Sequence, residues 1–158
     1  LDDFIVVSNG KHTDTIFKGL EDKKSFYTSL HSEKHEPDDP NYTPRISGII
    51  QRKEESMSLS RISKSDFSDS QSEYRFYRYT DIVPGYGYCL TTYMSEGTPL
   101  PNFTSEPLLL PLKGNAEQIA NYYWQELNHE NRISLAVREL TQSGEDRLKI
   151  INRNQLKI

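Results

Sequence analysis

Two short polar motifs contain most of the side chains in this sequence that are suited to catalysis or to ligand binding. The first runs from Ser8 to Thr15 and the second from Pro40 to Ile46. Each joins turn-forming residues to hydrogen-bonding or charged side chains beside a predicted strand, where a small polar ligand can be held. The candidate ligand-contacting residues in the two motifs are Asn9, Gly10, His12, Thr13, Asp14, Asn41, Thr43 and Arg45.

Each motif supports a functional and a simpler interpretation. In the first, the backbone amides of a helix start favour anions, and His12 can shuttle a proton or hydrogen-bond a ligand. Its simpler interpretation is an Asn-Gly turn followed by Asp14 as a helix cap. In the second, Arg45 offers a fork for a phosphate or a purine carbonyl. Its simpler interpretation is a surface arginine paired with an aspartate of the preceding loop.

Two further candidates lie outside the motifs. Glu36 lies in an acidic loop and can act as an acid, a base or a ribose ligand. Its simpler interpretation is a residue of a solvated acidic loop. Tyr93, at a predicted strand end, can stack on a base, or it is a core or rim tyrosine. His31 and His35 are spaced to share a helical face, but no second pair completes a site, so no metal is predicted.

The composition narrows the class of protein. The 158 residues allow one domain, taken as residues 1–158, with a modest core to which ten Tyr and six Phe contribute. The net charge of -4 argues against a nucleic-acid partner. A single cysteine, Cys89, excludes a disulfide framework and favours a reducing compartment, so we expect a cytoplasmic protein. No apolar run is long enough to cross a membrane, and no membrane partner is expected.

The hydrophobic pattern predicts about eight strands and two helices. One helix is predicted to begin near Thr15 with Asp14 as its cap, to break near Glu21-Asp22, and to end before Pro37 and Pro40. A second follows an Asn115 capping box and runs to about Leu127. The predicted strands are Phe4–Val7, Arg45–Gln51, Ser56–Ser63, Tyr74–Tyr79, Tyr88–Tyr93, Leu108–Leu110, Arg132–Thr141 and Arg147–Asn152.

The connections between these elements complete the prediction. Residues Ser63 to Glu73, rich in Ser and Asp, are predicted to form a mobile loop, and Ser143 to Asp146 a turn. Strands dominate the middle of the chain, which favours an α+β sandwich over a doubly wound parallel sheet.

The chain begins Leu-Asp-Asp-Phe, without Met and directly before a strand. We therefore expect it to be the C-terminal portion of a longer protein.

Taken together, three segments resemble the IMP cyclohydrolase of archaeal purine synthesis and its bacterial relatives. They are Val6 to Ile16, Asn41 to Ile46, and Thr92-Tyr93. The downstream stretches Pro99 to Phe103, Glu106-Pro107 and Trp124 to Asn128 are similar to the bacterial branch. The resemblance covers nearly the whole chain.

This resemblance implies a fold and a reaction. The fold is a four-layer αββα sandwich, similar to the Ntn hydrolases but without their self-cleavage, and the family's N-terminal strands would precede Leu1. The reaction closes 5-formamidoimidazole-4-carboxamide ribonucleotide to inosine monophosphate with loss of water. The implied partner is that purine ribonucleotide, no cofactor is implied, and a homo-oligomer is possible for an edge-rich sandwich.

The resemblance also implies site roles. Arg45, Glu36 and His12 are the catalytic candidates: Arg45 binds the phosphate or orients the carboxamide, and Glu36, placed by its spacing before Asn41, accepts a proton or binds ribose hydroxyls. Tyr93 lines the base. The implied substrate-binding residues are Asn9, Gly10, Thr13, Asp14, Asn41, Thr43 and Tyr93.

Two other functions compete with this one. The first is a purine-nucleotide-binding protein of the same fold that has lost catalysis. The second is a thiol amidase of the Ntn type, which needs an N-terminal Cys, Ser or Thr nucleophile. Leu1 cannot serve as that nucleophile and Cys89 is internal, so the sequence disfavours the amidase.

Overall fold

The computed structural model of the chain describes residues 3–141 and 146–154. The chain divides into two compact units, one formed by Leu1–Val83 with Tyr88–Leu109 and the other by Pro84–Gly87 with Leu110–Ile158. All the candidate site residues belong to the first unit. The expectation of one domain stays a prediction.

A four-stranded antiparallel sheet forms the framework of the first unit. Its strands lie in the order β1 (Phe4–Ser8), β2 (Arg45–Gln51), β3 (Ser56–Ser65) and β4 (Ser68–Tyr79). The β-branched runs of β1 and β2 favour extended backbone, and both strands were predicted correctly from them. The β2–β3 hairpin is also confirmed, although β3 is two residues longer than its predicted span to Ser63.

Two helices cover one face of this sheet. The helices α1 (His12–Glu21) and α2 (Phe26–Leu30) are separated by a short turn, which confirms the predicted break. The buried core between helices and sheet consists of Ile16, Phe26, Leu30, Ile49 and Ile62. Burying one such side chain contributes about 1.5–3 kcal/mol, so this cluster fixes the helices to the sheet.

The predicted limits of the first helical region were wrong at both ends. The helix begins at His12, and Asp14 is an exposed first-turn residue instead of the cap. The reason is local, because the amides of Thr13 and Asp14 already bond to the carbonyls of Gly10 and Lys11 at 3.1 and 3.0 Å. At the other end, α2 stops at Leu30, well before Pro37.

The predicted mobile loop from Ser63 to Glu73 was also wrong. Most of it belongs to β3 and to β4, which pair antiparallel from Met57 opposite Tyr79 to Ser65 opposite Ser68. β4 is the last strand in the sheet order, and most of its residues are exposed. An edge strand tolerates Ser and Asp because one side of its backbone and much of its surface face water.

Two further strands form a small sheet of their own. The strands β5 (Tyr86–Cys89) and β6 (Leu108–Pro111) pair, and β6 matches its prediction. The predicted strand from Tyr88 to Tyr93 was wrong, because β5 ends at Cys89. Beyond it, Tyr93 forms only an isolated antiparallel bridge with Asn102.

The described residues of the second unit include a helix and two paired strands. The helix α3 (Ala116–Glu126) begins with the predicted capping box, in which the Gln118 amide donates to Asn115 Oδ1 at 3.0 Å. The strands β7 (Ser134–Glu139) and β8 (Arg147–Asn152) pair antiparallel, β7 being shorter than predicted. Of the predicted turn after β7, residues 143–145 lie outside the described residues.

The described residues therefore combine eight strands with three helices, in place of the two helices predicted. This is a mixed α and β structure in which β1–β4 and β7–β8 pair antiparallel. In the parts of the chain that the structure describes, no helix is long and apolar enough to span a bilayer.

Candidate functional site

Asn9 joins the two polar motifs. Its side-chain Nδ2 donates to the carbonyl of Pro44 at 2.9 Å, and its Oδ1 accepts from the amide of Ile46 at 2.9 Å. The backbone amide of Asn9 also donates to the Ile46 carbonyl at 3.2 Å. Since β1 pairs with β2 up to Ser8 opposite Ser47, the bonds between Asn9 and Ile46 continue the ladder one residue past the end of β1. The end of one motif is thereby held beside the start of the other.

The three catalytic candidates meet at Gly10. A Cβ atom built on Gly10 would lie 3.4 Å from His12 Nδ1, 3.5 Å from Arg45 Nη1 and 3.5 Å from Glu36 Oε1. These are ordinary van der Waals distances, so a small group fits beside the Gly10 backbone. We call this space, bounded by His12, Glu36 and Arg45, the Gly10 cradle. It offers a ring nitrogen, a carboxylate oxygen and a guanidinium nitrogen to one small group.

Arg45 is held between two carboxylates. Its Nη1 lies 2.6 Å from Glu36 Oε1, its Nε lies 3.7 Å from Glu33 Oε2, and Nε also donates to the carbonyl of Lys34 at 2.6 Å. Its side chain is only 15% exposed, so water screens these contacts weakly. The simpler interpretation of Arg45 as an ion-paired residue is thus partly right, but its partners are glutamates.

His12 is buried, with 1% of its surface exposed. Its Nε2 lies 3.2 Å from the carbonyl of Ile46, which can only accept, so Nε2 carries the proton. Burial lowers the pKa of His12, and the nearby Arg45 lowers it further, against the opposing effects of the Ile46 carbonyl and of Glu33 and Glu36. The ring is therefore neutral at pH 7 and its Nδ1, which has no hydrogen-bond partner among the described residues, is an acceptor facing the cradle.

Thr13 and Asp14 contribute differently to the start of α1. The Thr13 hydroxyl donates to the Gly10 carbonyl at 2.8 Å and contacts Ser8 Oγ, so it closes the turn that shapes the cradle. Asp14 is exposed on the first helical turn. Of these two residues, Thr13 has the contacts that fix the backbone of Gly10.

Asn41, Thr43 and Tyr93 form a second group that ties loops together. The Thr43 amide donates to Asp38 Oδ1 at 2.7 Å, and the Thr43 hydroxyl donates to Asp38 Oδ2. The Tyr93 hydroxyl lies 2.5 Å from Thr43 Oγ1, and Asn41 Oδ1 accepts from the amide of Leu100 at 3.0 Å. This group adjoins the cradle, because the Glu36 amide donates to the Thr43 carbonyl at 3.2 Å.

The hydrogen bonds to Asp38 also affect its protonation. Desolvation opposes ionisation, but the bonds from the Thr43 hydroxyl and amide outweigh it and lower the pKa of Asp38. Asp38 is therefore a fixed negative charge at neutral pH. Its role in the structure is to orient Thr43, and through Thr43 the hydroxyl of Tyr93.

Two residues of this site, Glu33 and Asp38, were not predicted from the sequence. Glu33 accepts a hydrogen bond from the Thr15 hydroxyl at 2.5 Å on Oε1, while its backbone carbonyl accepts from the Tyr74 hydroxyl at 2.6 Å. These bonds place its other carboxylate oxygen toward Arg45. The sequence signal available was a second glutamate three positions before Glu36, within reach of the same arginine.

The chain also contains a free thiol and side chains of metal-ligating types. Cys89 is a half-buried free thiol, and burial raises its pKa, so the thiol is protonated at neutral pH. Within residues 3–141 and 146–154, no group of three His, Cys, Asp or Glu side chains is placed to hold a metal ion.

Comparison with known proteins identifies the family. A family model described as IMP cyclohydrolase-like protein matches residues 1–145. Neither a curated protein nor a solved structure matches the chain. The family match spans all the residues that form the cradle and the group around Thr43. The chain therefore belongs to the family of IMP cyclohydrolase-like proteins.

Proposed function

We propose that this protein is an IMP cyclohydrolase, which closes 5-formamidoimidazole-4-carboxamide ribonucleotide to inosine monophosphate and releases water. The observation that carries the proposal is the Gly10 cradle, where His12 Nδ1, Glu36 Oε1 and Arg45 Nη1 surround one point at 3.4–3.5 Å. Membership of the IMP cyclohydrolase-like family supports the same reaction. A purine ribonucleotide is the proposed partner.

Catalysis of this reaction depends mainly on how the two reacting groups of the substrate are positioned. The nucleophile is a carboxamide nitrogen, whose lone pair is delocalised, and the electrophile is a formamide carbon. Holding the two groups coplanar and in contact removes much of the entropic barrier. A new bond forms from the carboxamide nitrogen to the formyl carbon. The carboxamide nitrogen and the formamide nitrogen each lose one proton, and the formyl oxygen takes up two protons and leaves as water. A cradle with both donors and acceptors suits each of these events.

The three groups at the cradle divide these tasks. Arg45 Nη1 can donate to the formyl oxygen as negative charge develops on it. His12 Nδ1 is an unprotonated acceptor for an N–H of the carboxamide, and the Glu36 carboxylate is a second acceptor. Their spacing around one point lets donor and acceptors act on the same small group. We assign the proton transfer from the carboxamide nitrogen to the pair His12 and Glu36.

The charge of the site favours one of the two roles considered for Arg45. Its guanidinium already contacts both Glu36 and Glu33, so two carboxylates face one cation. A phosphate dianion bound here would be repelled by both carboxylates. We therefore propose that Arg45 orients the uncharged reacting end of the substrate, and that the phosphate binds away from the cradle.

The remaining candidates have supporting roles in this proposal. Gly10 leaves room for the reacting group, and Thr13 fixes the Gly10 backbone. Asn9, Asn41 and Thr43 hold the loops that border the cradle, and Tyr93 lines the base. Asp14, exposed on the first turn of α1, is kept as a substrate contact by the family resemblance alone.

We also propose that the sheet β1–β4 is one layer of a four-layer αββα sandwich. Its face opposite the helices is apolar, since the strand register places Val7 beside Gly48 and Leu59, with Ile5 beside Ile50 and Met57. Val7 on this face is 67% exposed. A sheet that is apolar on both faces suits an internal layer, which would pack against a second sheet.

Turnover by the full-length protein tests the function. The formylated carboxamide ribonucleotide is the substrate, and formation of inosine monophosphate is followed by its absorbance. We expect ring closure well above the uncatalysed rate, with a loss of about a hundredfold or more in Arg45→Ala and Glu36→Gln. The matched control is Arg75→Ala, because Arg75 pairs with Glu73 at 2.6 Å and both side chains are about half exposed.

Two outcomes distinguish an error in the assigned site residues from an error in the assigned function. Normal turnover by both Arg45→Ala and Glu36→Gln would contradict the site. Binding of the nucleotide by the wild-type protein without any turnover would instead support a catalytically inactive purine-nucleotide-binding protein of the same fold.

A further inference from the structure

We propose that the first unit holds a second ligand site, which binds an organic anion with an apolar body. The site is a cavity of about 550 Å³ at the corner between α1 and α2, and we call it the corner cavity. Phe4 and Gln51 line it, and they pair at one end of the β1–β2 ladder. The Gly10 cradle follows the other end of that ladder, so the two sites share no residue.

The floor of the corner cavity is apolar. It is formed by Phe4, Leu20, Phe26 and Ile49, which belong to the core between the helices and the sheet or pack against it. Phe26 and Ile49 are 3% and 2% exposed, so the floor is closely packed and its rearrangement would cost considerable free energy. A flat apolar group placed on this floor would leave water and gain the free energy of apolar burial.

The rim of the corner cavity is cationic. Lys23, Lys24 and Arg78 line it, and the one carboxylate in the lining, Glu54, is paired with Arg78 at 3.0 Å. Lys24 lies 3.8 Å from Asp22, an exposed and weak contact. Within the part of the chain that the structure describes, no salt bridge includes Lys23. The rim therefore carries positive charge that the protein does not neutralise, which favours an anionic head group.

The backbone of Lys23 and Lys24 is fixed by hydrogen bonds at the end of α1. Lys23 has a φ of 60°, the left-handed conformation at the end of α1. Its amide donates to the Leu20 carbonyl at 3.1 Å and the Lys24 amide donates to the Gly19 carbonyl at 2.8 Å, the bonding of a Schellman motif. Glycine normally occupies this position, and a side chain there is destabilising by about 1 kcal/mol. This bonding fixes the backbone of Lys23 and Lys24 at the rim of the cavity.

These features define the ligand by its chemistry. The anionic head contacts the Lys23 and Lys24 ammonium groups, and the apolar body lies on the floor. The volume suits a molecule larger than a free phosphate. The inference is independent of the proposed cyclohydrolase activity, because it uses no residue of the cradle.

Amide chemical shifts of the ¹⁵N-labelled full-length protein test the proposal. Phenyl phosphate is the probe, since it has both an anionic head group and an apolar ring. Inorganic phosphate, which has the anionic group alone, is the comparison. We expect shifts at the amides of Lys23, Lys24, Phe26 and Gln51, with a Kd of about 1 mM for phenyl phosphate. Inorganic phosphate should bind about tenfold more weakly because it leaves the apolar floor in water. The position of the shifted amides distinguishes this site from binding at Asn9 to Thr13.

Lys23→Gly is the decisive variant, because it removes the ammonium group and relieves the left-handed strain together. Phenyl phosphate should bind about fivefold more weakly, while the Tm does not fall. Lys18→Gln is the matched control, since Lys18 is an exposed lysine of α1 outside the cavity lining, and its Kd should be unchanged.

Three results would overturn the proposal. One is the absence of shifts at the corner amides at about ten times the expected Kd. Another is equal affinity for phenyl phosphate and inorganic phosphate, because the floor would then take no part. The third is an equal loss of affinity in Lys18→Gln and Lys23→Gly, which would indicate a general effect of net charge.

Discussion

The hydroxyls of Thr43 and Tyr93, fifty positions apart in the sequence, lie 2.5 Å from one another. The single hydroxyl proton of Thr43 goes to Asp38, so the Tyr93 hydroxyl donates to Thr43 Oγ1. The segment that carries Tyr93 is held at two further points, where the Leu100 amide donates to Asn41 and Arg61 donates to the carbonyl of Phe103. Tyr93 is therefore fixed beside the second polar motif by several independent bonds.

Tyr93→Phe removes the hydroxyl and keeps the ring. We expect the free energy of unfolding to fall by about 1 kcal/mol, the contribution of one hydrogen bond that leaves Thr43 Oγ1 without its donor. Denaturant unfolding of the two proteins measures this difference. Tyr122→Phe is the control, because the Tyr122 ring is 50% exposed and its replacement should change stability by less than about 0.5 kcal/mol. Equal losses in the two variants would contradict the assigned role of the Tyr93 hydroxyl.

Glu33→Gln tests the second carboxylate on Arg45. The amide keeps an oxygen for the Thr15 hydroxyl but loses the charge that faces Arg45 Nε at 3.7 Å. We expect kcat for ring closure to fall about tenfold, because the guanidinium turns further toward Glu36 and leaves its productive position. The Tm should stay within a few degrees of wild type. Glu21→Gln, which changes an exposed glutamate of α1, is the control, and an equal kcat in wild type and Glu33→Gln would show that Arg45 does not need Glu33.

Gly10→Ala places a methyl group in the cradle. Its carbon would lie at 3.4–3.5 Å from His12 Nδ1, Arg45 Nη1 and Glu36 Oε1, contacts that the fold tolerates. We expect an unchanged Tm and a loss of kcat/KM of about tenfold or more, since the methyl occupies the space proposed for the reacting group. Lys11→Ala changes the adjacent exposed side chain and should keep full activity. An active Gly10→Ala enzyme would mean that substrate reacts elsewhere.

The buried His12 makes stability depend on pH. Its folded pKa lies below the ordinary value of 6.5, chiefly because of burial, so the unfolded chain binds the proton first as the pH falls. The contribution of neutral His12 is complete above 6.5 and is lost progressively below it, down to the folded pKa. We expect the Tm to drop more between about pH 7 and pH 5 in wild type than in His12→Gln. Circular dichroism melts at several pH values measure the two slopes, and parallel slopes would refute this origin of the pH dependence.

Val7→Asp tests the four-layer arrangement. If the apolar face of the sheet packs on a second sheet in the full-length protein, a buried carboxylate there lowers the free energy of unfolding by about 1–3 kcal/mol. Phe67→Asp is the control, because Phe67 is 95% exposed at the β3–β4 turn, and it should leave stability nearly unchanged. No destabilisation by Val7→Asp would argue against a sheet on that face.

Local sequence features predicted the elements whose signals are complete within a few residues. The β-branched run from Phe4 to Val7 and the Asn115–Gln118 capping box both gave correct elements. The prediction for the segment from Ser63 to Glu73 was wrong, because its residues favour a loop when they are considered alone. In the structure, β4 pairs with β3, and this pairing stabilises an extended backbone that the composition of the segment does not predict.

The sequence alone shows which chemical groups the site contains: an imidazole, several carboxylates, a guanidinium and a glycine in two polar motifs. Which of these groups come into contact depends on how the chain folds. The pairing of β1 with β2 and the bonds of Asn9 to Pro44 and Ile46 bring the ends of two distant motifs together. Glu33 joined the site and Asp14 was left exposed on α1, outcomes that depend on where loops and helices fold back. Contacts between residues far apart along the chain arise from strand register and packing, which no local residue pattern encodes.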